Sequence, residues 1–172
     1  MILDLREFED FPARALVESD PGEIAVDRDD VIAVEKVTAD LNIQKSGQEF
    51  YCQGTVSGLV KLECARCLTE FSEERTGDTD FIIAPQPPAD EREADVIDDE
   101  DYVFLIGDDL RADVTGQVRQ SLILALPMKP LCRADCLGLC ASCGANRNET
   151  PCDCEEKKYD SRWEGLSGLA RE

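Results

Sequence analysis

The chain has 172 residues and a mass of 19.1 kDa, enough for one ordinary domain with a small appendage and too little for two full catalytic domains. It carries 38 acidic and 18 basic residues and no histidine, for a formal net charge of −20. This charge disfavours nonspecific binding to nucleic acids or anionic membranes. The absence of histidine excludes Ser-His-Asp and Cys-His catalysis and imidazole metal ligands.

The first predicted elements are β-strands. Apolar and polar residues alternate strictly from Val37 to Gln44, which is typical of a half-buried strand. A glycine-containing turn at 46–48 separates this stretch from a second alternating stretch that continues to Cys64 and predicts a hairpin. Residues 68–83 supply a third strand. We therefore expect an antiparallel β meander, as a sheet or a small barrel, with a Cys-x-x-Cys turn between two strands.

The next segments are an acidic loop and a helix. Residues 85–101 are rich in proline and then in acids, a composition that predicts a mobile loop, and residues 102–106 can rejoin the sheet. Apolar residues at four-residue spacing predict one amphipathic helix over 110–126, capped by Asp109 and ended by Pro127. The expected fold is α+β and mainly β, with residues 1–131 forming an acidic body.

The chain has nine cysteines, and six of them lie beyond this body, in residues 132–172. The start of the chain shows no secretory signal, and no stretch has the ~20 apolar residues of a membrane span. We therefore expect a cytoplasmic protein without a membrane partner. In that compartment thiols stay reduced, and clustered cysteines typically bind metal.

Eight of the cysteines fall in close pairs, and two such pairs complete a tetrahedral four-thiolate zinc site. The clearer site is a knuckle followed by a short loop and a closing pair, namely Cys140, Cys143, Cys152 and Cys154. The other is assigned from the cysteines that remain, namely Cys64, Cys67, Cys132 and Cys136. Residues 132–172 are thus expected to form a Cys-rich zinc-binding tail that ends in a short helix opened by Asp160. Cys52 has the apolar parity of its strand and is expected to be a buried core residue.

Two chemical alternatives remain open. Four thiolates do not distinguish zinc from iron, so an iron–thiolate electron-transfer protein is one of them. The other is a cytosolic dithiol redox protein built on Cys64 and Cys67, although that pair opens no predicted helix that would acidify its thiols. A metal enclosed by four sulfurs has no open coordination position. We therefore expect no enzymatic activity and no small-molecule substrate.

The cysteine motifs and their surroundings resemble the signature of the YceD-like family, in a form that contains zinc knuckles. The resembling segments are 62–68, 113–126, 126–132, 138–146, 152–154 and 159–162. Members of this family are linked to accumulation of large-subunit ribosomal RNA, and their genes commonly neighbour that of a small zinc-binding ribosomal protein. The resemblance implies a non-enzymatic role in ribosome assembly. One departure is Ser161, where many relatives have proline.

Composition and resemblance together indicate two partners. An acidic body is suited to hold a basic large-subunit ribosomal protein. The candidate residues for this contact are Asp90, Glu91, Glu93, Asp95, Asp98, Asp99, Glu100 and Asp101. Direct contact with large-subunit rRNA would instead fall on the tail, which carries 8 acidic and 6 basic residues. The candidates there are Arg147, Lys157, Lys158 and Arg162.

Overall fold

The computed structural model describes residues 1–85, 102–107 and 109–154. Its seven strands are β1 (Ile2–Asp4), β2 (Ala13–Glu18), β3 (Val31–Ser46), β4 (Glu49–Glu63), β5 (Glu70–Ala84), β6 (Tyr102–Phe104) and β7 (Arg111–Asp113). A short 3-10 helix spans Leu5–Glu7, and the α-helix α1 spans Thr115–Ala125. None of the helices in this part of the chain is long and apolar enough to cross a membrane.

The main sheet has five strands in the order β2-β3-β4-β5-β6. Neighbouring strands are antiparallel except for the short parallel pair of β5 and β6. The β3–β4 hairpin closes at the Ser46↔Glu49 pair, and the β4–β5 connection begins after Glu63↔Glu70. The predicted antiparallel meander is therefore confirmed as strands β3 to β5.

The core lies between one face of this sheet and α1. Alternate residues of the long strands are buried, and the helix adds Val118 and Leu122 to the same cluster. The helix lies so close that a Cβ atom on Gly77 would come within 2.7 Å of the Ser121 carbonyl oxygen. Cys52 is part of this core with 2% of its surface exposed, and burial raises the pKa of its thiol to about 12. The prediction for Cys52 is confirmed.

The helix is shorter than the predicted range of 110–126. Arg111–Asp113 form strand β7, which pairs antiparallel with β1, and Ala112 is completely buried there. Asp113, rather than Asp109, lies at the start of the helix, where its Oδ1 accepts a hydrogen bond from the Thr115 backbone N–H at 3.0 Å. Pairing with β1 satisfies backbone groups that the sequence pattern assigned to the helix.

Two predicted segments lie outside the described residues. Of the predicted loop 85–101, only residue 85 is described, and the terminal helix opened by Asp160 is wholly outside. Residues 102–104 do rejoin the sheet, as β6. They pair with the last residues of β5, so that, among the described residues, β5 has a strand neighbour on both sides only at its C-terminal end.

Candidate metal centres

The first four-cysteine group joins the sheet to the segment that follows α1. Cys64 and Cys67 occupy the turn between β4 and β5, and Cys132 and Cys136 come from beyond the helix. The Sγ atoms of Cys64 and Cys136 are 3.8 Å apart, and those of Cys67 and Cys132 are 3.6 Å apart. All four sulfurs lie within 4.8 Å of one another. The chain thus brings together residues that are up to 72 positions apart.

Backbone contacts hold the two halves of this group in place. The Ala65 N–H donates to the Pro130 carbonyl at 2.9 Å, and the Leu139 N–H donates to the Arg66 carbonyl at 3.0 Å. The Arg66 guanidinium also donates to the Cys136 carbonyl at 2.9 Å. These bonds fix the turn against the later segment independently of the sulfur atoms.

The second group is local in sequence. Cys140, Cys143, Cys152 and Cys154 place their sulfurs within 4.8 Å of one another. The knuckle closes through the Gly144 N–H, which donates to the Cys140 carbonyl at 2.8 Å. Gly144 has a φ of 74°, in the left-handed region that favours glycine.

The corresponding residue of the first knuckle is Leu68. It follows Cys67 as Gly144 follows Cys143, and it also has a positive φ, 59°. A leucine in this conformation carries steric strain that glycine avoids. The residue is 55% exposed, so the leucine side chain gains little from burial to offset that strain.

Asn148 and Asn146 connect the two groups. The Asn148 side chain lies between the second-group cysteines in sequence, yet its Nδ2 donates to the Cys136 Sγ at 3.3 Å. Its Oδ1 accepts from the Arg133 guanidinium at 2.6 Å and from the Leu137 N–H at 2.8 Å. Asn146 reaches the first turn through Thr69, with Nδ2 to Oγ1 at 3.5 Å. Asn148 was missed from the sequence because an isolated asparagine in a loop has no diagnostic spacing.

Both groups fit a tetrahedral metal. Four sulfurs bound at ~2.3 Å from one ion lie about 3.8 Å from each other, which matches the sulfur distances of 3.8 and 3.6 Å in the first group. These separations are far longer than the ~2.05 Å of a disulfide bond. Each group could therefore hold one metal ion, in the same division of the cysteines that the sequence predicted.

The turns also favour the thiolate form of Cys64 in the first group and of Cys140 in the second, and hydrogen bonds from Asn148 and the Gly138 backbone lower the pKa of Cys136 as well. Burial raises the pKa of Cys64, but backbone N–H groups of Cys132, Arg66 and Cys67 outweigh it and lower the pKa to about 6. At Cys140 the N–H groups of Cys143 and Ser142 lower the pKa to about 6. Hydrogen bonds to charged sulfur stabilise the form that binds metal.

The surroundings of Cys64 and Cys67 do not favour the alternative of a dithiol redox protein. Residues 65–67 form a turn that leads into β5, so Cys64 and Cys67 do not begin a helix. Each of these sulfurs is also within 3.8 Å of a cysteine from the later segment. A helix N-terminus and an accessible dithiol pair are the usual features of a redox motif, and this site has neither. The arrangement is that of four convergent ligands.

The other predicted site residues are mostly outside the described part of the chain. Arg147 lies beside the second group, and its N–H donates to the Gly138 carbonyl at 3.0 Å. Lys157, Lys158 and Arg162 are outside the described residues. So are all eight acidic candidates between positions 90 and 101. The two candidate partner surfaces therefore remain predictions.

Fold and site together define the class: a mainly β protein with one helix and two adjacent four-cysteine groups that could bind metal. A family model described as large ribosomal RNA subunit accumulation protein YceD matches residues 52–170, and the chain belongs to this family. The match contains most of β4, all of β5 and α1, and every paired cysteine. The family resemblance found in the sequence is thereby confirmed.

Similarity extends to curated relatives. An uncharacterized protein of Mycobacterium tuberculosis is 29% identical over 141 residues, which cover 80% of this chain and 65% of that protein. A Mycobacterium leprae protein is 31% identical over 114 residues, 64% of this chain and 48% of its own length. The chloroplastic large ribosomal RNA subunit accumulation protein YCED homolog 1 of Arabidopsis thaliana is 21% identical over 154 residues, 77% of this chain and 48% of that protein.

The chain thus spans at most about two thirds of the length of these relatives, at 65% of the M. tuberculosis protein. No solved structure matches it.

Proposed function

We propose that this protein is a non-enzymatic, cytoplasmic ribosome-biogenesis factor that supports the accumulation and assembly of large-subunit rRNA. The observation that carries the proposal is the family match over residues 52–170, because the family is described by rRNA accumulation. The fold adds support, since four-sulfur groups offer no open position for substrate. Depleting the protein should lower large-subunit rRNA relative to small-subunit rRNA, and an unchanged ratio would refute the proposal.

The partner proposed for this role is a basic large-subunit ribosomal protein. A net charge of −20 attracts such a protein at long range and lets the more densely charged rRNA displace it later. The stretch 90–101 carries eight acids, at the positions named above, within twelve residues. It is the densest acidic run of the chain and the first candidate for the contact.

The test is capture of purified basic ribosomal proteins at moderate salt. In one variant every acid of 90–101, together with Asp108 and Asp109, is replaced by its amide. A matched control carries the residues of 90–101 in scrambled order, which keeps charge and length. The amide variant should capture markedly less, and the scrambled control should capture as much as the native protein. Unchanged capture by the amide variant would refute the role of these acids.

Direct contact with rRNA is the second candidate, and the cations beside the cysteine groups favour it. Arg147 bonds Gly138, whose backbone lies against Arg66. Arg133 lies next to Cys132 in the same region. Lys157, Lys158 and Arg162 follow in the sequence. Binding of single-stranded rRNA segments should then weaken steeply with salt, and Lys157→Glu with Lys158→Glu should abolish it. Retained binding in this double variant would refute the assignment.

We further propose that each cysteine group holds one zinc ion with a structural role. The supporting observations are the sulfur separations of the first group, which match a tetrahedral four-thiolate site, and the convergence of all four sulfurs within 4.8 Å in the second group. Elemental analysis of protein purified without added metal, combined with native mass spectrometry, should find two zinc ions per chain. One zinc ion would leave one group unexplained. A red, iron-containing protein would instead favour the electron-transfer alternative.

A further inference from the structure

Strand β5 leaves most of one edge open. On one side it pairs with β4 along nearly its whole length, from Glu63↔Glu70 to Phe50↔Ile83, without a register shift. On the other side it pairs with β6 only at Ile82–Ala84. Within the described part of the chain, residues 70–81 therefore have a strand neighbour on one side only. An unpaired strand edge is a template for another extended chain.

The direction of the backbone groups follows from two hydrogen bonds. The Ala84 carbonyl accepts from the Leu105 N–H at 3.0 Å, on the β6 side. The Thr69 carbonyl accepts from the Cys64 N–H at 3.0 Å, on the β4 side. Backbone N–H and C=O groups alternate between the two sides of a strand, and the register with β4 is unbroken. The backbone N–H and C=O groups of the even-numbered residues of β5 therefore point away from β4. The groups that face the open edge belong to Ser72, Glu74, Thr76, Asp78 and Asp80.

These same residues project exposed side chains from the face of the sheet opposite α1. Three of them are acidic, and their cross-strand neighbours on β4 are Leu59 for Glu74, Thr55 for Asp78 and Gln53 for Asp80. None of these neighbours is a cation. Lys61, the cation nearest along β4, pairs with Glu70 at 2.5 Å. The open edge therefore presents acidic side chains that no described cation neutralises.

We propose that this edge binds an extended segment rich in lysine or arginine from a protein partner, which adds to the sheet as a further strand beside β5. The inference rests on the proposed capture of a basic ribosomal protein and assigns that contact a place and a mode. Main-chain hydrogen bonds would supply affinity, and alternate basic side chains would face Glu74, Asp78 and Asp80.

Charge selects this occupant over a second copy of the chain and over RNA. If two copies paired antiparallel about Thr76, Glu74 of one would lie opposite Asp78 of the other, and like charges directly opposite are destabilising. RNA would meet the same acids and has no peptide backbone to continue the ladder. A basic extended peptide satisfies both the hydrogen bonds and the charges.

The probe is a twelve-residue peptide of alternating lysine and threonine, titrated into the full chain as purified. Its control carries N-methyl groups on alternate backbone amides, which keeps every charge and removes the donors of a ladder. We expect the methylated peptide to bind at least tenfold more weakly. Backbone amides of Ser72, Glu74, Thr76, Asp78 and Asp80 should exchange hydrogen more slowly when the unmodified peptide is bound. The odd-numbered amides between them should be protected already without peptide.

Variants test the same edge from the protein side. Thr76→Pro removes one N–H that points to the open edge, leaves the ladder with β4 intact and changes no charge. It should weaken peptide binding about tenfold, whereas Thr76→Ala should bind like the native chain. Reversing the three charges with Glu74→Lys, Asp78→Lys and Asp80→Lys should abolish binding. Circular dichroism of each variant verifies that it is folded.

The outcomes separate this inference from the function on which it rests. Equal binding of the two peptides, or an exchange pattern without even–odd alternation, would overturn the added strand while leaving basic-protein capture in place. If the native chain captured neither the peptide nor a basic ribosomal protein, the proposed partner would fail as well. Tighter binding of an RNA oligonucleotide than of the peptide at this edge, lost in Thr76→Pro, would overturn the choice of a protein occupant.

Discussion

The two four-cysteine groups use the same ligands but occupy different surroundings. Cys64, Cys67 and Cys136 of the first group are buried, whereas Cys143 and Cys154 of the second are exposed. The first group closes a long chain segment that contains β5 and α1, and the second closes a short loop. Because a cross-link over a long segment restricts the unfolded chain more than one over a short loop, the first group should stabilise the whole fold. The two groups have the same set of four cysteines, but the first should contribute more to the stability of the fold than the second.

The largest expected effect is that of Cys64→Ser. It removes a buried cysteine of the first group, next to the end of β4, so the zinc ion proposed for that group should be lost, leaving three sulfurs without an ion. We expect the free energy of unfolding to fall by several kcal/mol, since metal binding at such a site is part of the folding energy. Urea unfolding followed by circular dichroism, with zinc analysis of the same sample, measures both effects. Ser142→Ala, beside the second group, is the control, and an unchanged urea midpoint for Cys64→Ser would contradict the comparison.

Cys140→Ser should have a smaller and more local effect. The zinc ion proposed for the second group should be lost, and residues 138–154 should become accessible to protease. The β signal in circular dichroism should persist, because the hydrophobic core cluster of the sheet contains no residue of the second group. A collapse of that signal would mean that the two groups stabilise one cooperative unit and that their difference in burial has no energetic counterpart.

Asn148→Ala tests the contact between the groups. The two proposed zinc ions should be released to a chelator in two phases, a fast phase from the exposed group and a slow phase from the buried one. Loss of the Nδ2 donor to Cys136 should weaken metal binding at the first group by about 10- to 100-fold, so the slow phase should accelerate. Asn42→Ala is the matched control, because Asn42 is an exposed asparagine of β3 outside both cysteine groups. Equal rates of metal release in the two variants would show that Asn148 does not contribute to metal binding at the first group.

The smallest effect concerns the residue after each knuckle. Leu68→Gly should raise the free energy of unfolding by up to ~1 kcal/mol, because glycine adopts the positive φ without strain. Gly144→Leu should lower the stability of the second group by ~1 kcal/mol for the same reason. Thermal unfolding measures the stability change in Leu68→Gly, and the rate of metal release to a chelator measures the change in Gly144→Leu. Destabilisation by Leu68→Gly would show that the exposed leucine makes a stabilising contact.

The sequence was most informative where a periodic pattern or a fixed spacing has one structural solution. Strict alternation predicted β3 and β4 with their hairpin turn. Cysteine spacing predicted the second group, and the first was assigned from the cysteines that remained; the structure brings together the same two sets. Short strands were missed or misassigned, because β2 is only six residues long and β7 depends on pairing with β1. A three-residue strand has no period of its own, so tertiary pairing decides its structure.

Contacts between distant segments also could not be predicted from a local sequence pattern. Asn148 and the open edge of β5 follow from which chain segments become neighbours, and no local pattern encodes that information. Arg147 was named as a site residue from its charge, and its position beside the second group is a property of the loop geometry. Residue type could therefore predict the candidate ligands, whereas strand order was needed to find the candidate binding edge.

The buried, unpaired thiol of Cys52 gives the molecule a built-in reporter. Its burial and its pKa of about 12 protect it from alkylation near neutral pH as long as the sheet stays closed. The eight clustered cysteines would instead report occupancy by the two proposed zinc ions. Timed alkylation followed by peptide mass spectrometry would therefore record, in one sample, when each ion leaves and when the interior of the sheet first opens to solvent.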